Sequence, residues 1–113
     1  MITYKIAVEF TKTPGPRYIK EGEFSGELFR DQYFIKVFDT AVENGEQILV
    51  DLDGGYGYFV SFLEEAFGGL ARIRGVEIVQ RTLIFKSEEE PSLIDEIKSY
   101  IKNAKNKMAL VYA

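Results

Sequence analysis

Ile48-Leu49-Val50-Asp51-Leu52-Asp53 is a short apolar run that closes in acid, and it lies between two stretches with helical hydrophobic spacing. A run of this kind suits a strand buried on both faces, so it predicts the centre of a sheet covered by helices. Upstream, Tyr4, Ile6, Val8 and Phe10 alternate with Thr3, Lys5, Ala7 and Glu9, which predicts a half-buried first strand over 3–10. Thr13-Pro14-Gly15-Pro16 breaks the chain, and Arg17 to Glu21 reads as a second short strand that completes a hairpin. Ser25 is a good N-cap and Asn44-Gly45 a good stop for a helix over about 26–43, whose buried stripe is Phe34, Val37, Phe38, Ala41 and Val42.

Beyond the central strand, Gly54-Gly55-Tyr56-Gly57 forms a turn. Ser61-Phe62-Leu63-Glu64 reads as a capping box opening a second helix that ends near Arg74-Gly75. Gly68-Gly69 inside that helix costs about 1 kcal/mol per glycine relative to alanine, which implies a close neighbour at the backbone. Thr82 to Lys86 reads as a buried strand, with Val76 to Arg81 ambiguous between loop, helical turn and strand. Pro91 precedes a last helix with the stripe Leu93, Ile97, Tyr100, Ile101 and Ala104, and Met108 to Tyr112 reads as a closing strand or a docked tail. The fold class expected is α/β: one domain over 1–113, a mixed sheet with about three helices in the order β-β-α-β-α-β-α.

The chain of 113 residues holds no cysteine, histidine or tryptophan, which removes thiol nucleophiles, disulfides, imidazole acid–base chemistry and thiolate or imidazole zinc sites. A net charge of -4 disfavours the nucleic-acid backbone as a partner, and no stretch approaches the roughly 18 apolar residues of a membrane span. These features predict a soluble cytoplasmic protein that binds no cofactor. Nine phenylalanines and seven tyrosines exceed what a small core readily hides, so an aromatic patch for a partner or for self-association is expected.

Several strings carry chemical meaning. Ile48 to Gly55 resembles the first motif of the haloacid-dehalogenase phosphatases, in which Asp51 would be the nucleophile, but Gly55 stands where that motif has threonine. Asp51 and Asp53 are also a two-carboxylate pair of the kind that holds Mg2+ with waters, yet no third carboxylate follows at calcium-loop spacing. Gly54, Gly55 and Gly57 lack the lysine of a phosphate loop, and Glu64-Glu65 and Glu88-Glu89-Glu90 read as a helix start and a solvated turn. The chain is therefore read as no enzyme, with no metal site. Ser61 is a helix cap on local grounds, and a phosphate there would add nearly two negative charges beside Asp53, Glu64 and Glu65.

The strand Ile48 to Asp53, the Gly and aromatic turn, and Ser61-Phe62-Leu63-Glu64-Glu65-Ala66-Phe67-Gly68-Gly69-Leu70 together resemble the STAS-like family of bacterial domains, distant relatives of anti-sigma-factor antagonists. Pro14-Gly15-Pro16-Arg17 and the segment Gly22 to Arg30 extend the resemblance over most of 1–105. In the antagonists a strand is followed by Asp-Ser-Ser-Gly, and the second serine, phosphorylated by a partner kinase, maps onto Ser61. Phe59, Val60 and Phe62 replace the surrounding motif residues. The resemblance implies a non-catalytic regulatory module that binds another protein, with a kinase-like ATP-binding protein as partner and Ser61 as the switch. Asp53 and Gly57 would shape the loop, and exposed Phe62 or Glu65 would contact the partner. The alternative on composition alone is a small acidic inhibitor, an immunity protein or antitoxin that masks a basic toxin; a remote one is a Mg-dependent phosphatase at Asp51 and Asp53.

Overall fold

The computed structural model describes residues 1–112, with side chains for 1–104. Three short strands, β1 (Ile2–Lys5), β2 (Ile48–Asp51) and β3 (Leu83–Lys86), form a sheet in the order β1-β2-β3. Both pairings are parallel and in step, so that Lys5, Asp51 and Lys86 stand side by side at the carboxyl edge. The apolar run predicted to be central is central, with Ile48 and Val50 fully buried.

Parallel neighbours require crossovers, and helices supply them. Helix α1 (26–43) leads to β2. Helices α2 (60–74) and α3 (Val76–Thr82) lead to β3, and α4 (Ser92–Tyr112) follows it. Each boundary of α1 has a local cause. The Gly26 and Glu27 amides donate to the carbonyls of Pro16 and Arg17, Leu28 donates to Ser25 Oγ at 3.0 Å, and Phe29 donates to Ser25 O, so the helix leaves none of its first four amides unpaired. At the other end Gly45 adopts φ 67°, the left-handed stop expected there.

Four expectations change. The first strand ends at Lys5, where β2 also ends, and Ile6–Glu9 makes a single helical turn. Ile6 and Phe10 are four apart, so one turn buries them as well as alternation would, and Val8 is left exposed. Arg17–Glu21 is no strand: two prolines lack donors, and the Glu21 and Glu27 carboxylates instead accept the Tyr18 and Ile19 amides in a tight turn. With that strand absent the sheet is wholly parallel, not mixed. The ambiguous segment before β3 is helical, and Met108–Tyr112 continues α4 because no glycine or proline interrupts the run from Ser92; Ala113 lies outside the described residues.

The core is strongly aromatic. Phe29 meets Tyr4, Phe34, Phe62 and Phe67 at centroid distances of 5.2–5.9 Å, and Phe67 carries the cluster on to Phe85 under the sheet. Both α1 and α2 widen to π-type hydrogen bonding, over Phe29–Phe34 and Glu64–Gly68, where the two helices meet. Gly26 lets them touch, since a Cβ there would lie 2.6 Å from the carbonyl oxygen of Phe62. The Gly68-Gly69 signal has two neighbours behind it: a Cβ on Gly69 would collide with the Arg30 guanidinium of α1, and one on Gly68 would lie 2.7 Å from Oε2 of Glu64 on α2 itself. Among the described residues no helix is long and apolar enough to cross a membrane.

Candidate functional site

The carboxyl edge of a parallel sheet is where crossover loops converge and where open α/β folds place their sites. Here the segments after β1, β2 and β3 meet. Asp51 is buried at the end of β2; its Oδ1 accepts the Asp53 amide at 3.0 Å, and its Oδ2 lies 3.8 Å from Lys86 Nζ and 4.0 Å from Lys5 Nζ. Asp53 accepts the Glu88 and Glu89 amides, both at 3.0 Å, and these two bonds, helped by Lys86 and Lys5, hold its carboxyl below the usual carboxylate range. Glu89 in turn accepts the Gly54 amide at 2.7 Å. Both aspartates therefore clamp the loops together, and among the described residues no group of three acidic ligands converges on a metal position.

The clamp makes a testable claim. A carboxyl with a depressed folded pKa contributes stability that is complete above its unfolded value, near pH 4, and is lost as pH falls toward the folded one. Asp53→Asn should cost about 1 kcal/mol near neutral pH and shrink the loss of stability on acidification to about pH 3, as read from urea midpoints at the two pH values. A variant with wild-type midpoints at both would contradict the clamp. Asp39, held low by Arg74, keeps its own share of the acid dependence in the variant.

The loop between Asp51 and α2 is anchored at several points. The Tyr58 hydroxyl donates to Leu52 O at 2.9 Å, and burial raises its pKa; the Tyr56 amide donates to Lys12 O at 2.9 Å. Gly54 at φ 94° and Gly57 at φ 113° turn the chain through conformations that side chains disfavour. What this fixed loop offers to solvent is apolar: Tyr56 is 84% exposed, Phe59 64% and Val60 60%. A cleft of about 410 Å³ opens between Tyr56, Tyr58, Phe59, Pro14, Thr13 and Glu90.

Of the residues singled out from the sequence, Asp53 and Gly57 lie in this loop, Asp53 bonded to the Glu88 and Glu89 amides and Gly57 at positive φ. The others lie behind it. Helix α2 starts at Val60 with Phe59 in the cap position, so Ser61 is the second helical residue, half-buried, and makes no cap bond. The capping box fails because Glu64 turns to arginines, 2.5 Å from Arg17 and 2.7 Å from Arg72. Phe62, expected to be exposed, is fully buried against Phe29, Phe10 and Tyr58. Glu65, likewise expected at the surface, is buried by its ion pair with Arg30 and its contacts with Arg17 at 3.1 Å and Arg72 at 3.7 Å. Sequence reasoning missed Phe59 and Val60 as the exposed pair, although they replace polar positions of the antagonist motif and were the departure to follow.

Comparison with curated proteins and with solved structures returned no significant match. The family model for the STAS-like domain of unknown function (DUF4325) matches residues 25–93, from the cap of α1 through α2 and β3 to the first turn of α4. That span is more than half of the chain and contains the whole Tyr56–Val60 loop. The chain belongs to the STAS-like domain family.

Proposed function

We propose that this domain is a cytoplasmic, non-catalytic regulatory module that docks another protein through the loop at 56–60. The observation that carries the reading is the exposure of Tyr56, Phe59 and Val60 on a loop whose backbone is held by hydrogen bonds. An apolar tip on an ordered loop loses little conformational freedom on binding, and a polar rim around an apolar centre is the anatomy of a transient interface. The acids of 88–90 supply part of that rim. The resemblance to anti-sigma-factor antagonists supports a role without catalysis and makes a kinase-like ATP-binding protein the partner of choice.

Ser61 follows Val60 directly, so a phosphate on it would add up to two negative charges at the base of the docking loop and push the half-buried first turn of α2 outward. Phosphorylation would release the partner. The test is co-purification from the native host with tagged wild type, a Phe59→Ser/Val60→Ser double variant and Ser61→Glu. The expected result is a kinase-like ATP-binding protein with wild type and its loss from both variants, each checked for a native circular dichroism spectrum. Equal recovery by the double variant would overturn docking through this loop. Recovery of a toxin would instead favour the acidic-inhibitor reading.

A further inference from the structure

The cleft beside the docking loop gathers aromatic residues and an acid whose chemistry selects what docks there. Tyr56, Tyr58 and Phe59 line it together with Thr13, Pro14 and Glu90. The Tyr58 ring is fixed by its hydroxyl bond to Leu52 O and by Phe62 beneath it at 6.0 Å. The Glu90 backbone is fixed too, its carbonyl accepting Ser87 Oγ at 2.6 Å and the Leu93 amide at 3.1 Å. Its carboxylate makes no hydrogen bond or ion pair among the described residues. The neighbouring acids are engaged, Glu89 with the Gly54 amide and Glu88 with Lys86 at 3.9 Å. A second cavity of about 310 Å³, with Asp53 and Glu89 in its wall, shares Gly57, Tyr58 and Glu90 with the first.

We propose that this cleft receives the guanidinium of an arginine presented by the partner protein. The inference rests on the docking reading above and names the chemistry of what docks. Aromatic faces attract a cation through their quadrupole, and a free carboxylate at the rim completes its charge. Arginine suits the cleft better than lysine, because a flat guanidinium can stack on a ring while two of its N–H groups reach one carboxylate, whereas an ammonium is a strongly hydrated point charge. The net charge of -4 favours approach of a basic surface. A free small cation fits less well. The cleft is open, with Tyr56 mostly in solvent, whereas small-molecule sites enclose most of their ligand; an arginine carried by a protein that also covers Phe59 and Val60 would close it.

The probe is the capped tripeptide acetyl-Gly-Arg-Gly-amide, titrated into the 15N-labelled full chain by NMR, with lysine and citrulline analogues as controls. The expected result is weak saturable binding that shifts the amides of Gly57, Tyr58 and Glu90, with little response to the citrulline peptide. Glu90→Gln and Tyr56→Ala should each weaken it by at least about fivefold while leaving the rest of the spectrum native, and Glu43→Gln, an exposed acid on α1, should leave it unchanged. No saturable shift at these amides, or equal shifts with citrulline, would overturn the inference. So would wild-type affinity of Glu90→Gln for the captured partner when Phe59→Ser/Val60→Ser has lost it, a result that leaves the docking reading standing. Undiminished capture by Phe59→Ser/Val60→Ser would sink the docking reading instead.

Discussion

Replacing Glu65 by alanine should lower the unfolding free energy by about 3–5 kcal/mol, seen as a shift of the urea midpoint at unchanged slope. The side chains of Arg30 and Glu65 are only 9% and 11% exposed, and Arg30 also donates to the Glu65 carbonyl at 3.0 Å. Removing the carboxylate strands a buried guanidinium whose remaining charged partner is the half-exposed Asp31 at 2.8 Å. It also weakens the hold on Arg17 and Arg72, which share Glu65 with Glu64. With total stability of about 5–15 kcal/mol for a domain of this size, the variant sits near its threshold. Because the cost comes from a buried guanidinium left with only the half-exposed Asp31, the double replacement Arg30→Met with Glu65→Leu should recover most of it. A loss below about 1 kcal/mol for Glu65→Ala would show that the network is not what joins α1, α2 and the segment before α1.

Phe29→Ala should cost about 3–5 kcal/mol through the cavity it opens. The ring is fully buried, with Tyr4, Phe10, Phe34, Phe62 and Phe67 around it, held by β1 and the turn after it and by α1 and α2, so the neighbours can close in only partly. Phe59→Ala is the contrast: the same change at an exposed position should leave stability within about 0.5 kcal/mol of wild type. Thermal melts of the two variants test the division of the aromatics into core and surface, and comparable losses at both positions would refute it.

The fold was legible where one local rule acts alone. The apolar run at 48–50, the Ser25 cap and the Asn44-Gly45 stop each state their structure, because burial on two faces, an amide acceptor and a left-handed turn have few alternatives. Reading failed where two periods coincide. Tyr4, Ile6 and Phe10 satisfy an alternating strand, yet Ile6 and Phe10 equally satisfy one helical turn, and only the length of β2 decides between them. The candidate site was half legible. Asp53 and Gly57 act within the loop that carries them, and it was the resemblance to the antagonists that pointed to that loop. Glu64 and Glu65 looked like a solvent-facing helix start because their partners, Arg17 and Arg30, lie 47 and 35 residues away, and no local pattern joins them. The Lys5, Asp51 and Lys86 row was invisible for the same reason, since it exists only in the register of three strands.

The central claim is that the exposed loop at 56–60 is the docking surface. Its most direct measurement is the affinity of the captured partner, by calorimetry, for wild type, Phe59→Ala and Tyr56→Ala, with Ile73→Ser and Ile84→Ser as exposed apolar controls elsewhere on the fold. The account predicts a loss of at least about tenfold for the loop variants and wild-type affinity for the controls. Wild-type affinity for both loop variants, with binding lost on changing Ile73 or Ile84, would contradict it.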